Sequence, residues 1–282
     1  ERTGAVDHGR ADVLHAIVAA FVEAGVPHER LTPVEAAERW PGLVFDDAVV
    51  AHAAGGRIRS AAALDAFLDL ATADGADLRF DHGVRSVTVV EDDAVVVLDD
   101  GRTIRTPSLV VAAGSWVPTL VGDVLRERGA RLPAVTVTEE QPAHFPGHVA
   151  DDSWPSFVHY PQDGGDVYGL LTPGEGVKVG FHGTGPIVHP DERTFRPTED
   201  GADALRRYVG RWVPGVDAER ATPVSCLYDN TPDGDFVIDR TGPVTVATGF
   251  SGHGFKFAPV LGELVADLAL GGTALPRFAF RD

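Results

Sequence analysis

The run Ala247-Thr248-Gly249-Phe250-Ser251-Gly252-His253-Gly254-Phe255-Lys256-Phe257-Ala258-Pro259 most narrows the fold. A strand enters three closely spaced glycines and leaves as a helix from Ala258 to Leu270, whose Leu261, Leu264, Val265 and Leu268 share one face. A strand, turn and helix in this order form part of an α/β layer. Glycine lets a ligand approach the backbone, and a helix start offers free N–H groups at the positive dipole end. The turn therefore suits a group that is or becomes anionic; a plain tight turn has the same pattern. The spacing is G-x-x-G-x-G rather than G-x-G-x-x-G. Little room follows for an acidic ribose partner, which argues against a pyrophosphate role.

Elsewhere helical and strand-rich segments alternate. Val13, Leu14, Ile17, Val18, Phe21 and Val22 recur at the helical period until Gly25, and Thr32-Pro33-Val34-Glu35 is a capping box with proline at the first helical position. Ser60 to Ala73 predicts a second amphipathic helix, with Leu64, Phe67, Leu68 and Leu70 as its apolar positions. Short strands are expected at Leu78–Phe80, Val87–Val90 and Val95–Leu98, with a tight turn over Asp99-Asp100-Gly101-Arg102. Ser108 to Gly114 predicts a buried strand of a parallel sheet covered on both faces. Residues 132–225 are strand-rich apart from a helix near Asp200–Trp212, and strands at Phe236–Asp239 and Val244–Thr248 return the chain to α/β character. Two interleaved domains fit this order: residues 1–54 with 132–225, and residues 55–131 with 226–282.

The 282 residues are 44% apolar and carry a formal net charge of −18. That charge repels nucleic acid and anionic membranes, so neither is expected as a partner. No apolar run is long enough to span a bilayer. A single cysteine, Cys226, excludes an internal disulfide framework and leads us to expect a reducing cytoplasm. The chain begins at Glu1 and has no methionine, so we expect that residues precede it.

Two further strands bear candidate chemistry. In Val177-Lys178-Val179-Gly180-Phe181-His182, period-2 alternation places Lys178, Gly180 and His182 on one face. They read either as a cationic floor with room above the glycine or as the polar face of an edge strand. In Cys226-Leu227-Tyr228, Cys226 and Tyr228 point the same way, and the cysteine on its own is equally a small buried apolar group. No metal site is expected: His144 and His148 are the only H-x-x-x-H pair, and Pro146-Gly147 breaks the helix that would align them.

Taken together, Gly249 to Lys256, the strand Val110-Val111-Ala112-Ala113-Gly114-Ser115-Trp116, and Leu31-Thr32 through Arg39-Trp40-Pro41-Gly42 resemble the monomeric sarcosine oxidases and their N-methyl amino acid oxidase relatives. The resemblance runs from about Thr3 to Leu270. It implies an α/β (α+β) two-domain flavoprotein, in which an incomplete Rossmann-like FAD-binding domain is interleaved with a strand-rich substrate domain. It also implies FAD as cofactor, a small amino acid and O2 as the molecules acted on, hydrogen peroxide as product, and a monomer.

Residue by residue, the resemblance implies that Cys226 forms a thioether to the flavin 8α-methyl group, which needs the thiolate form. Lys178 would promote oxygen reduction and Lys256 would bind the substrate carboxylate. His182, Tyr228 and His253 would line the substrate pocket. Val84 would bring its backbone to the adenine, and Gly114, Gly252, Gly254 and Phe255 would contact the cofactor. The family's first βαβ unit has no counterpart in these residues. Roughly 70–90 residues would complete it, so this chain alone is expected to hold FAD poorly. A flavin dehydrogenase with another electron acceptor, or a non-catalytic remnant, are the alternative expectations.

Overall fold

The computed structural model describes residues 1–147 and 154–281; His148 lies outside them. In chain order the elements are β1 (Ala5–Gly9), α1 (Ala11–Glu23), β2 (Glu29–Leu31), α2 (Pro33–Arg39), β3 (Ala48–His52), α3 (Ser60–Ala73), β4 (Val84–Val90), β5 (Asp93–Leu98), β6 (Thr103–Thr106), β7 (Leu109–Val111), α4 (Val117–Glu127) and β8 (Thr136–Glu140). There follow β9 (Ala143–Phe145), β10 (Ser156–Tyr160), β11 (Val167–Thr172), β12 (Gly176–Phe181), α5 (Glu199–Trp212), β13 (Thr222–Pro223), β14 (Cys226–Asn230), β15 (Val237–Thr241), β16 (Val244–Thr248) and α6 (Ala258–Ala269). No helix among the described residues is long and apolar enough to cross a membrane.

Two compact units divide the chain. The first comprises Glu1–Arg59, Glu139–Pro186 and Arg193–Cys226; the second comprises Ser60–Thr138, Ile187–Glu192 and Leu227–Asp282.

The first unit is built on an eight-stranded sheet of order β13-β9-β12-β11-β10-β1-β3-β2. Its one parallel pair joins β1 to β10, with His8 beside His159. Side chains alternate across each strand, so Phe157, Val167, Val177 and Val179 enter a core roofed by Leu205, Val209 and Val213 of α5 and its end. Trp40, Phe45 and Phe145 complete that core. On the opposite face, Leu14 and Val18 of α1 pack against Val50. The capping box forms: Thr32 Oγ1 accepts from the Glu35 amide at 3.2 Å, and the Thr32 amide donates to Glu35 Oε2 at 2.8 Å.

Within the second unit, β15-β16-β7 and β4-β5-β6 make two small sheets. Val117, Val121 and Leu125 of α4 pack with Val87, Val96, Val111, Val244 and Val246. Leu261 and Leu268 of α6 cover Phe236, Ile238 and Ala247.

Several expectations change. Leu78 and Phe80 lie outside any strand, and Phe80 is exposed, so their alternation pairs with nothing. The predicted buried strand shortens to β7, where Val111 is buried but Val110 stays 41% exposed; it is not covered on both faces. Helix α3 forms over the expected residues yet buries none, leaving Leu64, Phe67 and Leu70 exposed. Lys178 is not on an edge strand, because β12 pairs with β11 on one side and β9 on the other.

The glycine turn is shaped by β14. Gly249, Ser251 and Gly252 all take positive φ, at 72°, 48° and 76°. A Cβ on Gly252 would lie 2.2 Å from the Tyr228 ring. Asp229 accepts from the Gly249 amide at 2.8 Å and from Thr248 Oγ1 at 3.1 Å.

Two stability tests follow from this packing. The variant Phe145→Ala should lose about 3–5 kcal/mol, because the ring it removes is fully buried in the first unit. Gly252→Ala combines left-handed backbone with a clash on Tyr228 and should lose about 2 kcal/mol or more. Urea unfolding measures both, and a Gly252→Ala midpoint equal to the parent's would contradict the packing described.

Candidate active site

In the first unit, β12 carries Lys178 through the middle of the sheet. Register places Lys178 between Leu170 on β11 and His144 on β9. Because Val177 and Val179 occupy the α5 face, Lys178 must occupy the other, where it is half-buried. The space expected above Gly180 is filled: a Cβ there would lie 2.9 Å from the Tyr168 hydroxyl and 2.8 Å from Pro142. The glycine thus admits a tyrosine rather than an open floor. His182 lies just past the strand end and is exposed, its amide donating to the Asp166 carbonyl at 2.8 Å.

Two buried acids, which the sequence reading did not single out, fix the ends of these segments. Glu140 accepts from the Thr184 and Gly185 amides, each at 3.2 Å, and so pins the turn after His182. Glu139 accepts from the Ser225 hydroxyl at 2.6 Å and from the Thr194 and Phe195 amides at 3.1 and 2.9 Å. Burial works to raise its carboxyl, but these donors outweigh burial and hold it below its usual range. Arg193 binds Ser225 as well, through Nε at 2.9 Å and through Nη2 to the carbonyl. The residue before Cys226 is therefore held on both its side chain and its backbone. Cys226 itself is a half-buried free thiol. Its lead-in runs beside β9, where Thr222 pairs with His144 and the Val224 amide donates to the Pro142 carbonyl at 2.8 Å.

The second unit gathers the other candidates. Parallel strands β7 and β16 end side by side, so Gly114 and the glycine turn share one sheet edge; Thr248 Oγ1 shares its proton between Asp229 and the Gly114 carbonyl, 3.2 Å away. In α/β layers, ligands bind outside such carboxyl ends. Gly114 has φ of 51° and open space where a Cβ would stand. By contrast, a Cβ on Gly252 or Gly254 would meet Tyr228 or Phe250. Those two glycines are accounted for by packing inside the turn, and Gly114 is the one that leaves room.

A 3-10 turn, Phe255–Phe257, separates the glycines from α6, and Phe255 and Lys256 are exposed on it. His253 Nδ1 lies 3.0 Å from the Ser251 carbonyl, and its ring is 5.2 Å from that of Phe236. Val84 opens β4 beside a register shift and is 38% exposed. Gly114, His253, Gly254, Phe255 and Lys256 thus belong to one turn region of the second unit, while Lys178, His182 and Cys226 belong to the first. The sheet edge fits a cofactor held by backbone N–H groups: it presents positive-φ residues, a side-chain-free opening at Gly114 and a helix start.

The family model described as FAD dependent oxidoreductase matches residues 1–268. A monomeric sarcosine oxidase of Streptomyces avermitilis is 33% identical over 96% of this chain and 73% of the relative. An N-methyl-L-tryptophan oxidase of Salmonella agona is 30% identical over the same shares. Among solved structures, NikD, an amino acid oxidase of nikkomycin biosynthesis, aligns with a TM-score of 0.84 at 24% identity, covering 100% of this chain and 77% of that one. L-proline dehydrogenase from P. horikoshii aligns with a TM-score of 0.81 at 23% identity, covering 98% and 74%. These structures share the mixed α/β fold, and the chain belongs to the FAD dependent oxidoreductase family.

Proposed function

We propose that the protein is an FAD-dependent oxidase of secondary, N-methylated amino acids that yields hydrogen peroxide. The observation that carries this reading is the 33% identity to a monomeric sarcosine oxidase across nearly the whole chain. The turn bearing Lys256 and the interior strand bearing Lys178 support it.

FAD, when bound, would supply the redox chemistry of amine oxidation and oxygen reduction. The chain's own residues supply position and charge. Lys256, an exposed cation on the turn, draws the substrate carboxylate. Tyr228 and His253 shape the pocket wall, and His182 serves the substrate. Lys178 offers a fixed ammonium to the negative charge that develops on oxygen as it is reduced. Cys226, next to the Ser225 that Glu139 anchors, would hold the flavin through a thioether. Val84, Gly114 and Phe255 serve cofactor binding, and Gly252 and Gly254, whose missing side chains make room for Tyr228 and Phe250, contribute backbone only. The protein acts as a cytoplasmic monomer.

Three measurements test this. Holoenzyme precipitated with acid should keep its yellow colour, and Cys226→Ala should lose it; colour released from the unmutated holoenzyme would remove the covalent attachment. The Lys178→Met variant should slow flavin reoxidation by oxygen at least about tenfold, with reduction by substrate little changed. Equal slowing of both half-reactions would remove its role toward oxygen. Peroxide formation in air on a panel of N-methyl amino acids separates an oxidase from a dehydrogenase using another acceptor.

A further inference from the structure

On the α5 face of the first unit, away from Lys178, three donor groups converge that no reading above uses. His8 on β1 and His159 on β10 are 2% and 0% exposed. The parallel register places them side by side. Their Nδ1 and Nε2 atoms lie 3.4 and 3.2 Å from the same oxygen, Asp46 Oδ1. Among the described residues no well-aligned hydrogen bond satisfies these three atoms, which are buried and approach only one another. Buried polar atoms are normally satisfied, so three such atoms gathered within 4.8 Å of one another call for a bridging occupant.

We propose that His8 Nδ1, His159 Nε2 and an Asp46 carboxylate oxygen form a site for a divalent first-row transition ion of the zinc class. Two imidazoles and a carboxylate are a donor set suited to zinc. Metal–ligand bonds of about 2.0–2.1 Å in a tetrahedron set donor atoms about 3.3 Å apart, which the two measured separations bracket. The His159 Nδ1 lies 2.9 Å from the Tyr208 hydroxyl, the kind of outer partner that orients a ligating imidazole.

An ion can approach from the side of Asp46, the partly exposed member of the three. Asp46 lines a cavity of about 230 Å³ together with Phe181, Tyr208, Arg211 and Trp212. One movement is required. The two rings stack 4.0 Å apart at 11°, so both lone pairs reach a single ion only after one ring turns. Tyr208 holds His159, whereas among the described residues no well-aligned hydrogen bond fixes His8 Nδ1, so His8 is the ring to turn. The ion would tie β1, β10 and the loop before β3 together.

The test is zinc uptake by the whole chain. After chelator treatment, dialysis against Zn²⁺ and desalting, atomic emission should count one zinc per chain, and the ion should raise the urea midpoint. Asp46→Asn keeps the shape of a side chain that is only partly buried. It should lower zinc affinity at least tenfold while leaving far-UV circular dichroism and the zinc-free midpoint unchanged. Tetrahedral Co²⁺ absorption in the parent, lost in Asp46→Asn, would support the donor set. No retained zinc, or equal retention and equal stabilisation in parent and Asp46→Asn, would overturn the proposal.

Discussion

Burial of Val177 and Val179 under α5 is the constraint from which the chemistry of the first unit follows. A strand has only two faces, and two valines committed to one face commit Lys178 to the other. Pairing on both sides then fixes the lysine's height and register, because β12 cannot slip without turning every apolar residue out of the core. A flexible ammonium is thereby carried on the most rigid kind of backbone available, an interior strand. The same alternation sends Phe157 and His159 to the α5 face, so one sheet separates the lysine from the buried histidines.

Loops that bear function need anchoring of their own, and here buried carboxylates provide it. Glu139 and Glu140 are adjacent on β8 and both only 1% exposed. Successive strand residues point oppositely, so one carboxylate reaches the segment before Cys226 while the other reaches the turn after His182. In the second unit Asp229 does the same for the glycine turn. Charged acceptors of backbone N–H groups form stronger bonds than neutral ones, which suits them to hold segments with few apolar contacts.

What could be read in the sequence was whatever repeats locally. The capping box at Thr32, the helical faces of α1, α5 and α6, and the alternation around Lys178 depend on neighbours within one turn or one strand, and they formed as expected. The strand-glycine-helix pattern near the end was equally visible, though the 3-10 turn at Lys256 was not. Packing partners were illegible wherever they came from distant chain. Glu139 and Glu140 drew no notice in the sequence, because their donors come from residues 184–225. Gly180 and Gly252 signalled close approach correctly, but the approaching atoms belong to Tyr168 and Tyr228 of the protein itself. Strand β1 was missed because Ala5-Val6-Asp7-His8-Gly9 mixes polar and apolar residues, and only pairing with both β3 and β10 makes it an inner strand.

That missed strand explains why the convergence of His8, Asp46 and His159 has no sequence signature. Metal motifs are recognisable when ligands sit on one helix or one knuckle, where spacing sets geometry. Here the spacing is set by a parallel pair between strands far apart in the chain, with Asp46 supplied by the loop that precedes a third. Aromatic rings close the surroundings: Phe45 meets His8 edge-on at 5.1 Å and Trp212 meets His159 edge-on at 4.5 Å. Such a shell excludes bulk water from the imidazoles and leaves Asp46 as the one ligand reached from the cavity. A core built only to be filled would gain more from apolar side chains at these positions, since buried unpaired nitrogens cost stability that packing alone does not return.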